Sequence, residues 1–167
     1  MEFIVDYDFQ EFGYTLDEFR KEFTITSNTS DNAEEELIND DPSHLIAFME
    51  NQEILGWAIW HESSTTKHRG GEPRDNEDTK ILTKLANREK DVIELHELWL
   101  KKKYRGEGYG NQFFEFFEKF ICEKGNNTLV YYTDDPAAIT LCRKRGYKEE
   151  FNKEVKWFTF CKTIEIS

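Results

Sequence analysis

Apolar and polar residues alternate along several short stretches of the chain, and this pattern predicts β-strands. Strands are expected at residues 1–8, in two runs on either side of residues 51–53, and at 91–100, 127–133, 147–151 and 155–164. Apolar residues at helical spacing predict helices at 15–23, 30–40, 79–90, 111–124 and 137–145. This order of elements predicts a mixed α/β sheet with helices on its faces.

Glycine, proline and aspartate mark the expected ends of these elements. Gly125 suits the position just after a helix, and Asp134-Asp135-Pro136 suits a helix start with Asp as the cap and Pro first. Residues 62–78 are polar and contain Gly70-Gly71 and Pro73, so they predict a long flexible loop. Such a loop is either a lid on the substrate side or a tolerated insertion.

The composition limits the classes of protein to consider. A chain of 167 residues with 14 Phe, 7 Tyr and 4 Trp is expected to form one globular domain over residues 1–167. Its net charge of −12 argues against a general nucleic-acid binder and favours either cationic partners or simple solubility. The odd number of cysteines, three, predicts neither a disulfide framework nor a zinc site. We expect a cytoplasmic protein, because this cysteine pattern suits a reducing compartment. The N-terminus is not expected to be a signal peptide, and no apolar run is long enough to predict a membrane span.

The stretch "YRGEGYG", residues 104–110, lies between a predicted strand and a predicted helix. Glycines at a helix start let an anion approach unpaired backbone N–H groups, so the stretch predicts a phosphate cradle. No Gly-Lys-Ser/Thr follows, which excludes a Walker A loop, and the glycine spacing fails the dinucleotide-binding pattern at Asn111 and Phe113. Asp134, at the end of the next strand, keeps a dinucleotide site open as an alternative, and a plain tight turn is another.

These residues resemble a known family. "RGEGYG" matches the R/Q-x-x-G-x-G/A signature of the GNAT superfamily of N-acetyltransferases, and "LWLKKKYRG" is similar to the approach to that loop. The later "DDPAAITLCRKRGYKEE" resembles the family's N-x-x-A-x-x-x-Y-x-x-x-G-F segment through Ala138, Gly146 and Tyr147. The resemblance implies the GNAT acyl-CoA N-acyltransferase fold, a mixed, mostly antiparallel sheet whose fourth and fifth strands splay apart.

The resemblance also implies acetyl-CoA as the acetyl donor, a primary amine as the acceptor, and no metal. The backbone of the fourth strand would bind the pantetheine arm and polarise the thioester, and the glycine loop and the start of the later segment would bind the rest of the donor. The implied donor-binding residues are Leu98, Trp99, Leu100, Arg105, Gly106, Glu107, Gly108, Tyr109, Gly110, Asn111, Asp135 and Ala138.

Direct attack by an amine needs a group that removes a proton from the ammonium and an acid for the leaving thiolate. Glu94 and His96 alternate on the fourth strand and are predicted as the deprotonating pair, with Glu97 in reserve or holding a cationic amine. The family's usual tyrosine acid falls at Cys142, so this thiol is the candidate acid. Its alternatives are the hydroxyl of a tyrosine (Tyr131, Tyr132 or Tyr147), water, or a purely structural thiol.

Three functions therefore compete. The first is an N-acetyltransferase acting on a primary amine. The second is a non-catalytic acyl-CoA-binding regulatory domain with the same fold, which the missing tyrosine favours. The third is a dinucleotide-dependent oxidoreductase. A homodimer is also a possibility, formed by pairing of the long alternating last strand across two chains.

Overall fold

The computed structural model describes residues 1–7 and 43–165. The helices predicted at residues 15–23 and 30–40 lie outside these residues. Seven strands are present in the described part: β1 (Glu2–Val5), β2 (His44–Glu50), β3 (Glu53–Ser64), β4 (Asp91–Leu100), β5 (Thr128–Thr133), β6 (Lys148–Asn152) and β7 (Trp157–Thr163). The same residues contain the α-helices α1 (Asn76–Ala86), α2 (Tyr109–Glu123) and α3 (Pro136–Lys144).

The strands form one sheet in the order β1-β2-β3-β4-β5-β7-β6. The pairs β1–β2, β2–β3, β5–β7 and β6–β7 are antiparallel, whereas β4 and β5 are parallel. The parallel register joins residues 93–95 of β4 to residues 129–131 of β5. The predicted mixed α/β fold is confirmed.

Local sequence signals explain where these elements begin and end. Asn51 and Gln52 both have positive φ, 51° and 66°, in the tight turn that joins β2 to β3. The Asp75 side chain caps α1 by accepting from the Asp78 N–H at 2.8 Å. At the end of α2, Gly125 has φ +90°, a conformation that favours glycine.

The chain divides into two compact units. Unit 1 contains residues 1–60 and 96–109, and unit 2 contains residues 61–95 and 110–167. The described core of unit 1 includes two stacked indoles, Trp57 and Trp99, whose ring centroids are 4.6 Å apart. In unit 2, buried apolar residues of α1 pack with Val92, Val130 and Cys161. None of the helices in residues 1–7 and 43–165 has the length and apolar character needed to cross a membrane.

Two predictions need correction. Residues 62–78 are not a plain loop, because β3 extends through Ser64, Lys67 pairs with Pro73, and the Arg74 side chain is fully buried. The last strand is not an edge available for a partner, because β7 lies between β5 and β6 and both of its backbone edges are paired. A homodimer formed in another way stays a prediction.

Candidate functional site

The glycine loop leads directly from the end of β4 into α2. A short 3-10 turn (Lys102–Tyr104) follows β4, and α2 begins at Tyr109. Gly106 and Gly108 have φ of +81° and +87°, and a Cβ at either position would meet no atom within 4 Å. The glycines therefore satisfy the backbone conformation and leave open space beside it. The first turn of α2 has no acidic side chain, so its N–H groups and the helix dipole favour an anion.

Side chains around the loop fasten it to the β2–β3 hairpin of unit 1. The carboxylate of Glu53 lies 3.0 Å from Lys101 Nζ and 3.4 Å from Lys103 Nζ. It also accepts a hydrogen bond from the Tyr104 hydroxyl at 3.1 Å. The lysine hydrogen bonds, the one from Lys101 above all, lower the pKa of Glu53. These contacts hold residues 101–104, which lead into the loop, against Glu53 of the hairpin.

Arg105 and the end of β4 form a second set of contacts within unit 1. Arg105 Nε donates to the carbonyl oxygen of Leu100 at 2.8 Å, and its guanidinium lies 5.5 Å from the centre of the Trp99 ring. Gly56 allows β3 to approach this backbone closely, because a Cβ there would overlap the Trp99 carbonyl oxygen. Leu98 and Leu100 are half-buried, whereas Arg105 stays exposed at the surface.

His96 and Glu97 lie side by side on β4. His96 Nε2 is 4.0 Å from Glu97 Oε1, and their side chains are 37% and 12% exposed. An accessible imidazole with a carboxylate nearby is the arrangement of a candidate general base.

Glu94 has a very different environment. It is 3% exposed, and its carboxylate is 2.5 Å from His61 Nε2. It also accepts from the Tyr132 hydroxyl at 2.6 Å and from Arg74 Nη2 at 2.8 Å. Burial opposes ionisation, but the hydrogen bond from His61 and the charge of Arg74 outweigh it and hold the pKa of Glu94 well below its usual range. A carboxylate held in this way is a poor proton acceptor.

Cys142 is fully buried on α3. Burial, with the nearby charge of Glu118, raises the pKa of its thiol to about 12. This environment suits a packed core side chain better than an acid for a departing thiolate. Among the alternatives, the Tyr147 hydroxyl donates to Glu118 at 2.8 Å, and burial raises the pKa of Tyr147 strongly.

Two further predicted donor-binding residues, Asp135 and Ala138, lie at the start of α3, and a third, Asn111, lies in the first turn of α2. Asp135 caps the helix, because its Oδ2 accepts from the Ala138 N–H at 3.0 Å, and Pro136 is the first helical residue. The predicted cap is therefore confirmed. Asn111, in the first turn of α2, uses its side-chain oxygen to accept from Arg145 at 2.8 Å. The donor-binding role that the resemblance implies for Asn111 concerns its backbone, not this side chain.

Comparison with known proteins identifies the family. Residues 12–147 match the model of the acetyltransferase (GNAT) family. The chain belongs to the GNAT family. Among curated proteins, no sequence matches this chain.

Solved GNAT structures share the fold at low sequence identity. A protein from Desulfovibrio desulfuricans assigned to the GNAT family is 11% identical with a TM-score of 0.68, over 98% of this chain and 99% of that one. An acetyltransferase from Thermus thermophilus is 11% identical with a TM-score of 0.65, over 98% of each chain. The PaiA N-acetyltransferase from Thermoplasma acidophilum, in complex with coenzyme A, is 13% identical with a TM-score of 0.60, over 98% of this chain and 100% of that one.

GNAT membership supports acyl transfer in general as the chemistry of this chain. Within residues 1–7 and 43–165, no cluster of three or more His, Cys, Asp or Glu side chains is arranged to hold a metal ion.

Sequence reasoning missed two residues that the structure brings to Glu94. His61 follows the apolar run of β3, where a buried polar residue gives no signal of its own. Arg74 lies in the segment predicted to be a flexible loop. Asp75 as an N-cap, with Glu77 and Asp78 in the first turn, is a helix-start signal that could have placed Arg74 beside a helix instead of in a loop.

Proposed function

We propose that this GNAT protein is an N-acetyltransferase that moves an acetyl group from acetyl-CoA to a primary amine by direct attack. The observation that carries the proposal is the loop with Gly106 and Gly108 at positive φ, opening into the first turn of α2. That arrangement suits the pyrophosphate of coenzyme A, because the backbone N–H groups are accessible and no acidic side chain opposes the anion in that turn.

Acetyl-CoA would supply the activated acetyl group as a thioester. His96 takes the proton from the ammonium, directly or through water, and Glu97 stabilises the imidazolium that results. Their 4.0 Å separation and the exposure of His96 support this pairing. The low pKa of Glu94 favours a supporting part for that residue, so His96 is the better base of the predicted pair.

We assign no single side chain as the acid for the leaving thiolate. A coenzyme A thiolate is a good leaving group near neutral pH, so water can supply its proton. Cys142 keeps a place in the proposal only as a neutral thiol, because its pKa of about 12 makes it a weak donor.

The test is an acetyl-transfer assay with a panel of amines, which detects both coenzyme A release and the acetylated product by mass. The variant His96→Gln should bind coenzyme A normally and lose turnover. The variant His44→Gln is the matched control, because His44 is another partly exposed strand histidine of unit 1, its Nδ1 lies 3.9 Å from Asp6 Oδ1, and no part in the reaction is assigned to it.

The same assay decides between the two functions that fit the fold. Product formation that depends on His96 supports the acetyltransferase. Coenzyme A binding without turnover of any amine would instead support the non-catalytic acyl-CoA-binding domain, which the burial of Cys142 at the usual tyrosine position favours. Stabilisation by NAD and not by coenzyme A would overturn both.

A further inference from the structure

Arg145, at the end of α3, connects two turns of α2 within unit 2. Its Nη1 donates to Asn111 Oδ1 at 2.8 Å. Its Nη2 and Nε donate to the two carboxylate oxygens of Glu118 at 2.6 and 3.3 Å. Asn111 and Glu118 are about two helical turns apart, so their side chains emerge on one face of α2. The planar guanidinium therefore holds both partners at once.

Glu118 gives this arginine a defined position. Its Oε1 also accepts from the Tyr147 hydroxyl at 2.8 Å and from Lys162 Nζ at 3.2 Å. The side chains of Arg145 and Glu118 are only 17% and 9% exposed, so water competes little for the contacts between them. The Nη1 group of Arg145 is thus held beside the first turn of α2.

The chemistry of arginine decides which way the side-chain amide of Asn111 faces. A guanidinium has donors and no acceptor, so the Asn111 atom bonded to it is the amide oxygen. The Nδ2 group then lies on the other branch of the planar amide, away from the guanidinium. Because Asn111 is exposed, the two N–H donors of Nδ2 are accessible to a ligand.

Asn111 lies in the part of α2 to which the proposed function assigns the pyrophosphate of coenzyme A. It is the third residue of the helix, and the backbone N–H groups of a first turn have no acceptor within their own helix. Phosphate oxygens accept from asparagine side chains as well as from backbone N–H groups. An amide whose nitrogen is turned away from Arg145 has the donors for such a contact.

We propose that the Asn111 side chain binds a phosphate oxygen of coenzyme A through Nδ2, and that Arg145 is the positioning residue that fixes this orientation. The inference rests on the proposed function, because coenzyme A must bind at the first turn of α2. It adds a side-chain contact to the backbone role that the resemblance implies for Asn111. Glu118 contributes by holding Arg145 in place.

Two variants of Asn111 test the amide by calorimetric titration with coenzyme A. Asn111→Ala removes the donors and should raise the dissociation constant about tenfold. Asn111→Asp keeps the shape and the acceptor for Arg145 but replaces Nδ2 by an anionic oxygen. It should weaken binding more than Asn111→Ala does, yet keep the wild-type melting temperature.

Gln112→Glu is the matched control for Asn111→Asp. It makes the same change of charge at the neighbouring exposed residue of the same helical turn. If Nδ2 contacts the phosphate, Gln112→Glu should cost much less affinity than Asn111→Asp. Equal losses in these two variants would overturn the inference, because charge alone would then explain them.

A double-variant cycle tests the part of Arg145. Arg145→Met should weaken coenzyme A binding in the wild-type background and have no further effect in the Asn111→Ala background, where no amide is left to orient. Lys162→Met is the matched control, because it also removes a cation bound to Glu118. This control should leave coenzyme A affinity unchanged. Arg145→Lys replaces Arg145→Met if the latter does not fold.

The outcomes separate the inference from the proposed function. A wild-type dissociation constant in Asn111→Ala would overturn the inference and leave the proposed function standing. The same loss from Arg145→Met in both backgrounds would overturn the positioning role, because the arginine would then act through its own charge. A wild-type protein that binds coenzyme A without turnover contradicts the acetyltransferase, and the cycle still decides the inference, since it measures binding alone. A wild-type protein that does not bind coenzyme A overturns both.

Discussion

Gly108→Ala is the sharpest perturbation of the glycine loop, because the structure separates its possible effects. Gly108 has φ +87°, and a Cβ there would meet no protein atom within 4 Å. The substitution therefore creates no clash within the protein. What it adds is backbone strain at positive φ and a methyl group in the space where we propose the donor's pyrophosphate binds.

The strain has a calculable size. A left-handed conformation costs a residue other than glycine about 1–2 kcal/mol. If the loop keeps its shape, this cost lowers the melting temperature by about 2–8 °C for a domain of this size. If the loop relaxes to negative φ, coenzyme A must restore the conformation on binding, and its dissociation constant rises about 5- to 30-fold.

Gly125→Ala is the matched control. Gly125 has φ +90°, and a Cβ there would also meet no atom within 4 Å, but this glycine follows the opposite end of α2. Calorimetric titration with coenzyme A and thermal melts measure both effects in both variants. We expect similar losses of stability, with weaker coenzyme A binding confined to Gly108→Ala. Equal affinity in the two variants would refute the assignment of the loop to the donor.

Three further predictions test other parts of the molecule. His96→Gln should lower kcat by about 10²- to 10⁴-fold, measured by initial rates, with an unchanged coenzyme A dissociation constant; wild-type turnover would exclude His96 as the base. Cys142→Ala should keep wild-type turnover and melt at a lower temperature, because it empties a buried site; lost turnover in a folded variant would restore the thiol to the mechanism. Burial opposes ionisation of Glu118, but hydrogen bonds donated by Arg145 and Tyr147 outweigh it and hold the pKa of Glu118 below the ordinary 4.5. The contribution of this carboxylate to stability is therefore present above that pH and is lost as the pH falls below it. Glu118→Gln should therefore melt at a lower temperature at pH 7 and show a shallower acid decline of melting temperature; an unchanged decline would contradict the assignment.

The parts of the fold that sequence predicted depend on short-range signals. The bounds of β4 agree with the run Asp91–Leu100, and Asp135 and Gly125 lie at the helix ends where capping chemistry places them. These residues determine the conformation of neighbours only a few positions away in the sequence. The glycine loop is likewise a local feature, because the strand, the glycines with positive φ and the helix start follow one another along the chain.

The contacts of Glu94 with His61, Arg74 and Tyr132 could not be predicted in this way. Arg74 is 20 residues from Glu94 and 58 from Tyr132 in sequence, and the contacts exist only because the sheet places β4 beside β5. The polar composition of residues 62–78 predicts exposure, whereas the Arg74 side chain is fully buried. An arginine from such a polar segment can be buried only where a carboxylate, here that of Glu94, pairs with its charge.

Glu94 illustrates how environment decides the chemistry of an acid on this strand. Alternation makes Glu94 and His96 equal candidates for the base, since both are titratable residues on one strand. Their surroundings differ in two ways: how accessible the side chain is to a proton, and how much free energy it costs to accept that proton. Glu94 is 3% exposed with an arginine bound to its carboxylate, so protonation would remove one of the two carboxylates that pair with the buried guanidinium, the other being that of Asp78. His96 is exposed and has Glu97 beside it, so a proton can reach its ring. The same reasoning predicts different effects for two variants. His96→Gln should fold and lose turnover, whereas Glu94→Gln should melt at a lower temperature, because it weakens the buried contacts with His61 and Arg74.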